Sequence, residues 1–561
     1  MWQQVYDPLG SPVLSTLAAA LPVAVLLISL AAFHVRAHVA ALAAVGVAIL
    51  VAVFVFGMPG AMAGKAVGLG FASGLFPIGW IVLNIIFLHR LTTLNGSFQV
   101  LQSSIGRITE DRRLQVLLVA FSFGAFFEGA AGFGTPVAVT GAILIGLGFS
   151  PLAASGLALI ANTAPVAFGA LGAPIIGLSA VTGIDQLTLS AMIGRQLPLF
   201  SVIVPFWVVW AFAGWRGMLE IWPAALVAGV SFAVPQFLVS NYHGPWLVDV
   251  ISALISMASL AGFLKVWSPK SVWTTTKLHR RADDSTVATN ADIPPRETQQ
   301  APSAGGARPS VMKAWMPWII LTVFVFAWGT PQFRKAADAL WSLKYAIPGL
   351  DKLVVRMPPV VPEPVHEAAV FSFNILSMAG TGILVSAIVG GLLMGYSIPR
   401  LIKEFFNTIV TVRLSLITIC AMFAIGFLTR YSGVDSTLGL AFAHTGVFYP
   451  LFGTMLGWMG VALTGSDTSS NVLFGGLQKT TAMQLGLSPV LMAAANSSGG
   501  VMGKMIDAQS IVVASTATKW YGHEGDILRF VFFHSLALAI LVGLFVTLQA
   551  YVYPFTAMVI H

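Results

Sequence analysis

Residues 121–140 read FSFGAFFEGAAGFGTPVAVT, and this stretch decides how the rest of the chain is read. One carboxylate, Glu128, stands in apolar surroundings and is followed at once by glycines and a proline. No other charged residue occurs between Arg113 and Asp185. A soluble domain carries roughly 25% charged residues. This chain carries 9% over 561 residues, with 57% hydrophobic residues and a mean hydropathy of +0.86. Its solvent is mostly lipid. A spanning helix needs about 20 apolar residues, and suitable windows recur from 14–33 to 530–553. The expected class is an all-α polytopic membrane protein with about 12–14 transmembrane helices.

The net charge of +8 points to cytoplasmic loops that set orientation, not to nucleic acid. Arg36 follows the first window, and Arg90, Arg107, Arg112 and Arg113 follow the third. These loops are therefore placed in the cytoplasm and the N-terminus outside. The opening MWQQVYDPLGSP lacks the basic start of a cleavable signal, so the first span reads as retained. Residues 267–312 begin with Lys270, Lys277, Arg280 and Arg281 and continue into DIPPRETQQAPSAGGARPS. That composition cannot build a core and reads as a disordered cytoplasmic linker. It separates an N-terminal transmembrane repeat, 1–266, from a C-terminal one, 313–561. Alternation places 330–364 outside. The single Cys420 lies in apolar sequence and reads as a small core residue.

Two distant blocks share an order. FEGAAGFGTP with Glu128 is followed by LGFSP and then NTAPVAFG; LTGSDTSSN with Asp467 is followed by LGLSP and then NSSGGVMG. Carboxylate to proline spans 23 residues in one block and 22 in the other, and asparagine to the later glycine spans seven in both. We read two homologous halves. Their opposite starting sides make them inverted repeats, whose sites lie at the repeat interface near the bilayer midplane. Glycines and prolines inside apolar sequence predict broken helices or re-entrant hairpins, tolerated at membrane depth only where protein or a cavity covers them.

Several residues could carry chemistry there. Glu128 is costly in lipid and is a candidate proton carrier, or else a satisfied cap or ion pair. Asp467 is a second candidate for proton coupling; the same position suits a helix cap. His444 is the third, weighed against a plain core histidine. Gly129 and Gly132 let the backbone turn beside Glu128. Asn162, Thr163, Thr464, Ser466, Thr468, Ser469, Asn496 and Ser497 supply polar groups suited to a small oxygen-rich ligand, or only caps. Arg195 could grip a carboxylate or merely anchor a span end. Lys504 could bind an anion or pair with Asp507 three residues on. No phosphate-binding loop, HExxH or GxSxG motif occurs, which disfavours an ATP-driven pump and a membrane hydrolase. No cofactor and no metal site is implied.

At these residues the chain resembles the bacterial lactate permease family, which includes glycolate permeases. The matching stretches are WQQVYDP, FGAFFEGAAGFGTPVA, NTAPVAFGALGAPI, GRQLP, LDKLVVRMPPVV, LTGSDTSSN, GKMI and QSI. They cover nearly all of the chain outside the linker. The resemblance implies uptake of L-lactate, and also of D-lactate and glycolate, coupled to protons across the bacterial inner membrane; the missing enzyme motifs separately argue against an enzyme. The rival reading is a sodium-coupled di- or tricarboxylate transporter, for which the hydroxyls of 464–470 could line a cation site. A channel is a further rival, without a repeated selectivity loop to support it.

Overall fold

Inside hydrocarbon each backbone N–H and C=O has to be satisfied by its own segment, and helices do this almost throughout the chain. The computed structural model describes residues 1–31, 33, 35–100, 108–130, 132, 134–274, 310–361, 363–520 and 523–560. The chain opens with α1 (Pro12–Ala31), α2 (Ala37–Leu50), α3 (Gly60–Ser73) and α4 (Trp80–Leu94). Glu128 lies on α5 (Arg112–Ala130). Three short helices follow: α6 (Thr135–Gly146), α7 (Pro151–Ala161) and α8 (Gly169–Thr182). Then come α9 (Gln186–Glu220), α10 (Trp222–Tyr242) and α11 (Val248–Phe263). The second part begins with α12 (Val311–Gly329), α13 (Pro331–Leu340), α14 (Ala379–Leu393) and α15 (Ile398–Ser432). It continues through α16 (Val434–Ala443), α17 (Tyr449–Thr464) and α18 (Asp467–Gln484). It ends with α19 (Pro489–Gly503), α20 (Ala508–Ala517) and α21 (Glu524–Tyr551).

Among the described residues eight helices are long and apolar enough to cross a membrane, or nine if the bent pair α7–α8 is one span. Other apolar windows fall on helices of 10–17 residues. Several of these are arms of interrupted segments, because glycine and proline stop the helices midway. Gly132 and Gly134 take φ of 58° and 80° between α5 and α6. The break between α7 and α8 bends the path by 64°, and just past it Ala170, Leu171 and Gly172 are left-handed. Gly465, at φ 75°, ends α17. A last break, Lys504–Asp507, separates α19 from α20.

Two of these interruptions make hairpins. α6 folds back on α5, with Gly124 packed against Thr140. α18 folds back on α17: Tyr449 Oη donates to Gln478 Oε1 at 2.7 Å, and Ser470 Oγ to the Gly457 carbonyl at 3.2 Å. The arms then pair crosswise. α6 packs on α20 and α8 on α18, while α7 packs on α21 and α9 on α19. Ser155 and Thr518 hydroxyls meet at 3.0 Å, and Ser498 Oγ donates to Gln196 Oε1 at 2.6 Å. Each of these arms of the first half thus packs on an arm of the second.

At one end of the bundle Arg113 is fully buried, paired with Asp111 at 2.8 Å and Glu220 at 2.6 Å. It also donates to the Ser271 carbonyl and lies under the Trp273 ring. So Ser271 and Trp273 of the expected linker are packed, Ser310 caps α12 and Val311 and Met312 open it, and 275–309 lies outside the described residues. The other end carries strands, which the helical pattern of the sequence did not announce. β1 (Trp2–Gln3) pairs parallel with β3 (Val354–Arg356), and β4 (Val365–His366) runs antiparallel to β3. β2 (Leu343–Ala346) pairs antiparallel with β5 (Val370–Phe373). Glu367 ties this cap to the helices, pairing with Arg356 and with Arg430 of α15, each at 2.8 Å. The described residues of 330–364, the chain start and the end of α15 thus share one face.

Candidate functional site

The breaks converge on one small cavity of about 30 Å³. Its walls come from both halves: Glu128, Gly132 and Gly169 from the first, Gly465 to Thr468 and Lys504 from the second. Two hairpin tips and two broken spans therefore meet. A larger cavity, about 280 Å³, lies between α4 and α15 beside the Arg90–Glu404 ion pair, away from the breaks.

Glu128, 4% exposed, accepts a hydrogen bond at its Oε2 from Asn162 Nδ2 at 2.9 Å. Its other oxygen crowds Gly169, where a Cβ would stand 2.5 Å away. Gly132 also faces this carboxylate. Asp467 opens α18, and its Oδ2 accepts from Ser497 Oγ at 2.5 Å and Asn471 Nδ2 at 3.2 Å. Ser466 caps the same helix, its oxygen accepting from Ser469 N at 3.2 Å. Asn471 reaches across the halves to the Pro174 carbonyl at 3.3 Å, and Asn496 donates to Asn471 Oδ1 at 2.9 Å. Lys504 donates to the Gly465 carbonyl at 2.6 Å and pairs with Asp507 at 3.3 Å. An ammonium has three donors, so one remains for a ligand. Among the described residues Asn162 Oδ1 and Asp467 Oδ1 are buried acceptors without a donor.

The remaining candidates sit further out. Thr163 and Thr464 donate to the carbonyls of Ile160 and Gly460 within their own segments. Gly129 backs onto Asp249 of α11 and not onto the cavity. Arg195 is not brought to the site: its guanidinium donates to Asn241 Oδ1 at 3.2 Å and the Met558 carbonyl at 3.0 Å. Its distance from the breaks leaves it an anchor of α9. His444 is also elsewhere, exposed just past the end of α16. Sequence reasoning passed over Asn471, Gly169 and Asp249. Asn471 closes the motif LTGSDTSSN four residues after Asp467, a helical spacing that places both on one face. Asp249 is the lone charge at the head of an apolar window.

The chain matches the model of a family described as L-lactate permease over residues 15–553. The chain belongs to this family. It is 48% identical to the glycolate permease GlcA of Escherichia coli over 100% of this chain and 99% of that one. It is 46% identical to the L-lactate permease of the same species and covers 98% of each. With the L-lactate permease of Bacillus subtilis it shares 44% identity over 98% of this chain and 99% of the relative. A solved structure, the YdaH transporter of Alcanivorax borkumensis, overlays at a TM-score of 0.42 and 15% identity over 86% of each chain. The protein is thus a multi-pass membrane protein of a lactate and glycolate permease family, and its relatives are named as transporters. The sodium-coupled di- or tricarboxylate reading has no support among them.

Proposed function

We propose that the protein imports L-lactate, and with it D-lactate and glycolate, by proton symport across the bacterial inner membrane. The observation that carries this is the charge in the cavity wall. Glu128 and Asp467 stand against one cation, Lys504, which Asp507 already neutralises in part. A buried charge must be compensated. A lactate anion added to such a wall is repelled unless a carboxylate takes up a proton, so substrate and proton bind together. The substrate carboxylate meets the free Lys504 donor and the N–H groups that open α18, where a helix N-terminus favours an anion. Its hydroxyl suits the unpaired acceptors on Asn162 and Asp467. One cation serves a monocarboxylate better than a di- or tricarboxylate.

In this reading 1–266 and 313–561 are inverted repeats. The hairpin α5–α6 enters from the cytoplasm, on the side of Arg113, and the hairpin α17–α18 enters from outside, on the side of the strand cap. Labelled lactate uptake into liposomes holding the purified protein tests the coupling. An inward proton gradient should drive accumulation at equal sodium. Accumulation driven by sodium at equal pH would sink the proposal.

A further inference from the structure

Asp249 has no part in the site described so far, yet it is the least explained charge in the bundle. It is 1% exposed, and among the described residues neither carboxylate oxygen has a hydrogen-bond donor. It lies in the first turn of α11, at a depth fixed by two contacts. Ser256 of α11 bonds Ser122 of α5 at 2.9 Å and the Ala228 carbonyl of α10 at 3.0 Å. Counting back seven residues puts Asp249 beside Gly129, where a Cβ would stand 2.6 Å from the Asp249 Cβ. The same count on α10 puts it about 10 Å below that helix's end, at 1.5 Å per residue. The helix begins inside the membrane because the loop before it descends there. Pro245 fills the space beside Gly172, Trp246 is buried, and Arg334 from the capped face lies over the Trp246 ring at 5.0 Å. His243, at the end of α10, stands edge-on to the same ring.

We infer that Asp249 is a proton relay between the capped face and Glu128, with Trp246 as the plug above it. Glu128, one residue from Gly129, faces the cavity; Asp249 stands behind it, toward the cap. The groups facing Asp249 are few. Glu128 is the only charge on α5 beyond Arg112 and Arg113 at its far end, and α8 and α10 carry none. His243 and Arg334 lie above Trp246, and Lys504 and Asp507 lie beyond Glu128. A proton on Asp249 leaves it for Glu128, and the vacated carboxylate is refilled from the capped face, so atoms and charge balance at each hop.

This inference rests on the proton-symport reading, and one experiment separates their failures. Liposomes with wild-type protein report whether lactate entry carries protons, from the pH change of weakly buffered external medium. If none enters, the symport reading itself fails. With Asp249→Asn, net pH-driven uptake should fall by roughly a hundred-fold, the lower end of what a positioned proton-transfer group contributes. Lactate exchange at equal pH, which returns the loaded carrier, should persist and shows the variant folded. Trp246→Ala should shift the pH profile of uptake without abolishing exchange. Wild-type uptake and pH profile in Asp249→Asn overturn the relay. Loss of uptake and exchange together also overturns it and leaves Asp249 a structural residue.

Discussion

Glu128 and Lys504 carry opposite parts of one argument, and single substitutions separate them. Glu128→Gln keeps the bond from Asn162 but cannot cycle a proton. Accumulation against a gradient should be lost while exchange continues, read by labelled lactate with and without a pH gradient. Lys504→Gln alone would leave Asp507 buried without its partner, at a cost of roughly 3–5 kcal/mol. The pair Lys504→Gln with Asp507→Asn avoids this. It should fold yet raise the lactate KM by about ten-fold or more, near 1.4 kcal/mol of lost binding; an unchanged KM would remove Lys504 from the substrate site. Gly169→Ala drives a Cβ into Glu128 Oε1 and should slow uptake with little change in thermal stability. Glu128, Asp467 and Lys504 were legible in the sequence because a charge in apolar sequence is costly wherever it ends up. Arg195 and His444 misled because a residue's chemistry does not say where it sits. Asn241 and the Met558 carbonyl hold Arg195 away from the breaks, and His444 stands exposed past α16.

At the scale of elements the interruptions were readable and the pairing was not. Glycines, prolines and the repeated carboxylate-to-proline interval announce where helices stop. Which arm meets which is set by tertiary packing: α6 with α20, α8 with α18. The depth of Asp249 has the same origin, since only the glycine opposite it on α5 lets α11 approach. The crosswise pairing can be tested directly. Ser155→Cys with Thr518→Cys, in a Cys420→Ser background, should crosslink under mild oxidation, because the native hydroxyls meet at 3.0 Å. The pair Ser155→Cys with Thr454→Cys should not, since Thr454 of α17 lies against Gly499 of α19 and not against α7. Equal crosslinking of both pairs would mean that the arms do not hold this arrangement.

For the whole molecule the cavity is small: about 30 Å³ holds around two waters, since each needs roughly 10–15 Å³ by this measure. Admitting a three-carbon acid requires the arms to part, as alternating access demands. If uptake is proton symport as proposed, the strand cap faces the acidified medium and has to hold its own shape there. Its latch is Glu367, 8% exposed between Arg356 and Arg430. Burial alone would raise its carboxyl, but Arg430 and Arg356 outweigh burial and hold it below the usual carboxylate range. A carboxyl held low in the folded state contributes stability that is fully present above its unfolded value, about 4.3. That stability is lost only as pH falls through the lower folded value. The cap should therefore keep its hydrogen-exchange protection over 343–373 from about pH 7 to pH 5 and lose it only below about pH 4. Glu367→Gln should remove that protection at every pH, because it leaves two cations facing each other with no anion between them. Protection that fades between about pH 7 and pH 5 in the native protein would mean that another group, and not Glu367, latches the cap.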